Sequence, residues 1–142
     1  MLIVEIPGTS IEVCTFLVFL LMIAMHVIED FHLQGRMADM KQKSWWEEYP
    51  SQYRRGYVPV LILHGMEWSI LVSLPLLLIT GLNVPGIVLL GIVINGFVHA
   101  IVDDLKANRF LINLETDQSI HILQILLIYL LAVWTVTYGA MA

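Results

Sequence analysis

Four long, almost uncharged apolar runs constrain this chain more than any other feature: Ile11 to Ile28, Val58 to Leu82, Val84 to Val102 and Ser119 to Tyr138. Each approaches the ~20 apolar residues that cross a ~30 Å hydrocarbon layer as a helix. Lipid offers no water to backbone N–H and C=O groups, and a helix satisfies them within itself. The runs therefore predict an all-α, polytopic membrane protein with one domain covering residues 1–142. Its transmembrane helices fall at about 11–30, 58–82, 84–104 and 118–138, joined after the first by an interfacial segment over about 31–57. A composition of 58% hydrophobic and only 13% charged residues argues against a soluble globule of this length.

Placement of charge sets the expected topology. All seven basic residues lie in two connections: Arg36, Lys41, Lys43, Arg54 and Arg55 in the first, Lys106 and Arg109 in the second. The positive-inside rule puts both connections in the cytoplasm and both termini outside, with a bacterial inner membrane as the expected location. The net charge of −5 carries little weight here, because orientation follows Lys and Arg and not the sum. No basic residue precedes the first apolar run, so that span is expected to be retained and not cleaved as a secretion signal. A single cysteine, Cys14, excludes an intrachain disulfide and a thiolate cluster. No Gly-rich phosphate loop or basic stripe is present, and nucleic acid is not an expected partner.

Local signals refine the outline. Thr9-Ser10 suits a cap for the first helix, and Thr116 or Ser119 a cap for the last. Trp45, Trp46, Tyr49, Tyr53 and Tyr57, mixed with Arg54 and Arg55, suit the headgroup level. Pro75 predicts a bend in span two. The Gly81 to Gly86 turn makes spans two and three an antiparallel pair, and Gly86, Gly91 and Gly96 permit close helix approach.

Ionisable side chains at membrane depth are costly and mark partners or function. Span one ends with His26 and Asp30; span two begins with His64 and Glu67. Span three ends with His99, Asp103 and Asp104, and span four begins with Asp117 and His121. His26/Asp30, His99/Asp103 and Asp117/His121 each place an imidazole and a carboxylate one helical turn apart. Alternation of the spans through the bilayer then brings all four histidines to the cytoplasmic side. If the shared faces point inward, His26, Asp30, His64, His99, Asp103, Asp117 and His121 form one site, with Glu67 about one turn deeper.

Imidazole plus carboxylate without thiolate is a ligand set for zinc, manganese or iron, and this many groups suffice for one or two ions. Taken singly, each residue has an ordinary structural reading. Glu29, Asp30, Asp104 and Asp117 suit the headgroups, Lys106 an i,i+3 pair with Asp103, and Lys41 a positive-inside lysine. His32, Met22, Met25, Met37 and Met40 are read as packing residues.

The run His26-Val27-Ile28-Glu29-Asp30-Phe31-His32-Leu33-Gln34, followed by Met37-Ala38 and Lys41, resembles the opening motif of domain of unknown function 3307. That family comprises small bacterial and phage membrane proteins. His64, His99/Asp103 with Lys106, and Asp117-Gln118 with His121 resemble its later motifs, so the likeness covers nearly the whole chain. It implies a multi-span membrane fold and names no activity. Glu29 departs from the small or apolar residue expected before Asp30, and the aromatic segment from Trp45 to Tyr57 is a further departure.

Three functions follow as expectations. The first is a metal-dependent hydrolase acting on a lipid-like or phosphorylated substrate. Asp103, Asp117 or Glu67 would handle the proton, and Lys41, Lys106, Gln118 and Gln34 would orient the anionic group. The second is a proton- or ion-conducting protein, which needs an oligomer or a path past Ser69, Ser73, Thr80, Asn83 and Asn95. The third is an accessory membrane protein whose polar residues serve as interhelical glue. A homo-oligomer is compatible with each.

Overall fold

The computed structural model describes residues 11–80 and 84–138. They form α1 (Ile11–Ile28), α2 (Met37–Met40), α3 (Tyr57–Ile79), α4 (Gly86–Ala107) and α5 (Leu114–Tyr138). A single π-helical turn, Glu29–Leu33, extends α1, and two short 3-10 turns, Lys43–Glu48 and Ser51–Tyr53, lead into α3. The chain is all-α among the described residues, and α1, α3, α4 and α5 are each long and apolar enough to cross a membrane. The Thr9-Ser10 cap and residues 81–83 of the Gly81 to Gly86 turn lie outside the described residues.

The four long helices close a bundle in which α3 packs on α1 and α4, and α5 packs on α4 and α1. Its apolar core is drawn from every helix: Val18 and Met22, Trp68 and Val72, Val88 and Ile92, Ile125 and Ile128. The outward faces are equally apolar, with Phe16, Leu63, Leu90 and Leu127 exposed, as expected where the surrounding solvent is hydrocarbon. Helix α3 runs through Pro75 to Ile79.

Close approach of α3 and α4 rests on one glycine from each. A Cβ at Gly65 would collide with the Gly96 carbonyl oxygen, and a Cβ at Gly96 would lie 2.9 Å from Met66 Sδ. Gly65 is not part of the five-residue glycine spacing in span three, and of that series it is Gly96 that meets α3. Gly91 serves a different contact, against Ile128 of α5. Because Gly65 adjoins His64 and Gly96 lies three residues before His99, this approach fixes the separation of those two imidazoles.

Helix α5 starts at Leu114, earlier than expected, and neither Thr116 nor Ser119 caps it. Asn113 Oδ1 accepts from the Thr116 amide at 2.8 Å and the Asn113 carbonyl accepts from the Asp117 amide at 3.0 Å. This N-cap geometry places Asp117 inside the first turn, where it is buried.

The connection from α1 to α3 is stitched beneath the bundle. Gly35, at φ +50°, turns the chain into α2. Trp46 Nε1 donates to the Met40 carbonyl at 2.7 Å, with its ring where a Cβ on Gly56 would lie. Asn108, the C-cap of α4, donates to the Lys41 carbonyl at 3.1 Å and accepts from the Lys43 amide at 2.6 Å. The result aims the Lys41 side chain back into the bundle, where it is buried.

Candidate metal centre

His26, Glu29, His64, His99, Asp103, Asp117 and His121 are each at most 2% exposed, and they converge at one end of the bundle. Two groupings can be read from their ligand atoms. In the first, His64 Nε2 lies 3.2 Å from His99 Nε2, 3.3 Å from Asp103 Oδ2 and 3.7 Å from Asp30 Oδ1. His99 Nε2 is 3.8 Å from the same Asp103 oxygen and 3.9 Å from the same Asp30 oxygen. A tetrahedral ion with bonds of ~2.0–2.2 Å separates its ligand atoms by about 3.3–3.6 Å. Asp30, His64 and His99 thus form one set of ligand atoms all within 4.8 Å of one another, and Asp103 Oδ2 approaches both imidazoles of that set.

The second grouping uses the other oxygen of the same aspartate. His121 Nε2 lies 3.7 Å from Asp103 Oδ1 and 3.3 Å from Asp117 Oδ1. His99, Asp103 and His121 also offer ligand atoms within 4.8 Å of one another. Asp103 therefore stands between the two groupings with one oxygen toward each, the position of a bridging carboxylate.

Outer hydrogen bonds decide which nitrogens present lone pairs. Gln124 Nε2 donates to the Asn95 carbonyl at 3.0 Å and to Asn95 Oδ1 at 2.8 Å, which turns Gln124 Oε1 toward His121 Nδ1 at 3.0 Å. An amide oxygen only accepts, so Nδ1 carries the hydrogen and Nε2 aims its lone pair at Asp103 and Asp117. His121 Nε2 and Asp117 Oδ1 accordingly have no hydrogen-bond partner. On the other side, Glu29 Oε1 sits 3.1 Å from His64 Nδ1, a carboxylate–imidazole contact at ion-pair distance that lacks hydrogen-bond geometry. The His99 ring is stacked between Trp68, at 4.2 Å, and His121, at 4.1 Å.

His26 joins the cluster in a different role from the ligand expected of it. Trp68 Nε1 donates to His26 Nδ1 at 3.0 Å, so His26 Nε2 holds the hydrogen and donates to Gln118 Oε1 at 3.1 Å. No lone pair is left for an ion. Gln118 Nε2 in turn donates to Asp30 Oδ2 at 3.2 Å and Asp117 Oδ2 at 3.0 Å, and Gln34 Nε2 donates to Asp30 Oδ1 at 3.1 Å.

Lys41 and Lys106 both enter the centre. Lys41 Nζ donates to Asp103 Oδ2 at 2.6 Å and lies 3.5 Å from His64 Nε2. Lys106 Nζ donates to Asp117 Oδ2 at 2.5 Å and stands 3.6 Å from Asp103 Oδ1, so its nearer partner lies on α5 and not on its own helix. Each grouping therefore has one ammonium against it.

Glu67 does not join the site. It is exposed on α3, because the buried stripe of that helix runs through His64, Trp68 and Val72, and Glu67 lies about 100° away from Trp68. Asp104 turns outward to Arg109 at 2.7 Å, and His32 is exposed. Glu29, Asn95, Gln124 and Trp68 are the participants that spacing did not single out. Gln124 is three residues after His121 and Trp68 four after His64, so helical spacing was an available signal for both.

A family model described as "Protein of unknown function (DUF3307)" matches residues 17–141, a stretch that includes every member of the centre. The chain belongs to the DUF3307 family. No curated protein and no solved structure matches it. Because the DUF3307 description states no activity, function must be argued from the convergent oxygens and nitrogens themselves.

Proposed function

We propose that this DUF3307 protein binds one or two divalent metal ions at the buried end of its bundle and hydrolyses a phosphorylated or ester-bearing amphiphile at headgroup depth. One observation carries the reading. Imidazole lone pairs and carboxylate oxygens face one another at ligand–ligand distances, and a second layer of hydrogen bonds holds them so. Asp30, His64 and His99 would hold one ion and Asp103, His121 and Asp117 a second, with Asp103 within reach of both. Divalent ions held by these residues would supply Lewis acidity, lowering the pKa of a bound water and polarising the scissile bond. With Oδ1 toward the second ion, Asp117 would take the proton on Oδ2 once Lys106 turns away from it. Lys41 and Lys106, relieved of neutralising Asp103 and Asp117, would turn to the anionic group, with Gln118 and Gln34 holding Asp30 in position. The positive-inside rule, applied to the basic connections, supports a cytoplasmic position for this end in a bacterial inner membrane.

Lys41 and Lys106 also support a second reading, in which their ammonium groups are permanent counterions and the centre is interhelical glue. Metal analysis of detergent-purified protein decides between them. The wild type should carry about one or two equivalents, and a His99→Ala, Asp103→Ala double variant essentially none. Negligible metal in both proteins sinks the hydrolase reading. With metal present, Asp117→Asn should fold yet lose turnover of a phosphate ester, and unchanged turnover would remove Asp117 from the reaction.

A further inference from the structure

The α3–α4 pair that carries His64, His99 and Asp103 inward also encloses a groove on its outer side. Leu61 and Ile62 form one wall and Phe97, Ile101 and Leu105 the other, around a volume of about 410 Å³. Tyr57, Asp104 and Arg109 stand at its mouth. From Phe97 to the end of α4 at Ala107 is about 15 Å at 1.5 Å per residue. That equals one leaflet of a ~30 Å hydrocarbon layer. With the end of α4 at the bilayer surface, the mouth would lie at headgroup depth and the groove would follow the direction of an acyl chain.

The mouth carries a guanidinium. Arg109 is 64% exposed at its side chain and gives only Nε to Asp104, at 2.7 Å, which leaves the two terminal amino groups of the guanidinium for another anion. Lys43 and Arg54 line a second depression with Glu47, and the Lys43 amide is bonded to Asn108, the residue before Arg109. Among the residues that line the groove itself the charges are Arg109 and Asp104, while Lys43, Arg54 and Glu47 belong to the separate depression. Guanidinium groups that keep free donors are suited to phosphate oxygens.

We infer that this groove is a binding site for a phosphate-bearing lipid of the adjoining leaflet, one chain lying between α3 and α4 and the phosphate on Arg109. The site is separate from the metal centre and does not depend on it, since its residues point to the opposite side of the helix pair. A second copy of the chain is the competing occupant. It fits less well, because Arg109 keeps two amino groups free for an anion at one end of the groove, while its walls between α3 and α4 are apolar.

Native mass spectrometry of the detergent-solubilised protein, with phosphatidic acid and diacylglycerol as matched probes, tests the inference. Wild type should retain phosphatidic acid in preference to diacylglycerol. Arg109→Gln should weaken phosphatidic acid retention about tenfold, Arg109→Lys much less, and diacylglycerol retention should be unchanged in both. Ile62→Trp, which fills the groove from a lipid-facing position, should reduce retention of both lipids. Equal retention of the two lipids by wild type would overturn the inference, as would an Arg109→Gln preference identical to wild type. So would a dimer that Ile62→Trp dissociates without affecting lipid. Metal content measured in the same samples reports on the centre alone, so failure of one reading leaves the other readable.

Discussion

The two halves of the bundle bury polar groups in opposite ways. In the half away from the centre, Ser69 Oγ donates to the Ile92 carbonyl at 2.7 Å, Thr80 Oγ1 to Leu76 and Leu77 carbonyls at 3.1 Å, and Thr135 Oγ1 to the Ala132 carbonyl at 2.9 Å. Small hydroxyls are quieted by backbone oxygens, and Ser73 Oγ is left over. Trp68, Met22 and Val72, all fully buried, pack between these groups and the centre, which favours a site at one surface over a path through the membrane. At the centre, Glu29 Oε2, His99 Nδ1, Asp117 Oδ1 and His121 Nε2 all lack hydrogen-bond partners. A buried group left unsatisfied costs about 1–3 kcal/mol, so the first half shows how a membrane helix hides polarity and the second shows polarity kept for use.

The contrast breaks most sharply at Asp103. It serves both groupings and Lys41, so Asp103→Ala should cost about 3–5 kcal/mol by leaving a buried ammonium unpaired, and should abolish metal uptake in both groupings. Ser69→Ala should cost about 1 kcal/mol, since it removes a single hydroxyl-to-carbonyl bond. Reversible unfolding in mixed micelles measures both. Equal losses would erase the distinction between the halves.

Lys41→Met sharpens the same comparison from the cation side. Without the ammonium, Asp103 loses its 2.6 Å partner, and chelator-treated variant should unfold about 3 kcal/mol below wild type. Saturating zinc or manganese should restore most of that loss, because an ion that binds only the folded state stabilises it. A deficit that metal does not touch would favour the glue reading.

Gln124→Leu tests the outer layer. It frees His121 to place its hydrogen on either nitrogen, and metal affinity should fall about 10–100-fold while the helices remain assembled. Metal titration followed by circular dichroism separates the two effects. Unaltered affinity would mean that the chain from Asn95 through Gln124 only packs α4 against α5.

How much of this was open to reading depends on the kind of information each residue carries. Hydropathy marked the four long helices, and their alternation through a bilayer was enough to bring His26, His64, His99 and His121 to one level. Rotation about each helix axis was harder. A regular helix holds Glu29 about 100° from Asp30, yet the π turn at Glu29–Leu33 widens the backbone there, and Glu29 reaches His64 as Asp30 reaches the ligand group. The role of His26 hinged on Trp68, an aromatic that a hydropathy reading treats as core filler. Gly65 went unremarked because close approach needed one glycine on each of two helices, a pattern that no single span contains.

The smallest expected effect separates the two acids that the spacing ranked in the wrong order. Glu67→Gln removes a carboxylate that is exposed and joins no ligand grouping, so stability should change by no more than about 0.5 kcal/mol and metal content should not change. Glu29→Gln keeps the size of a side chain that is 1% exposed but removes the charge facing His64 Nδ1 at 3.1 Å. An orienting carboxylate of this kind contributes through the basicity of its imidazole, so metal affinity should fall about 10-fold while the fold persists. The pair of variants isolates orientation from chemistry, because both replace one carboxylate by an amide on neighbouring helices near the same depth. Should Glu67→Gln lose metal and Glu29→Gln keep it, the inward faces of α1 and α3 would have to be exchanged, and the ligand polyhedron built on His64 would fall with them.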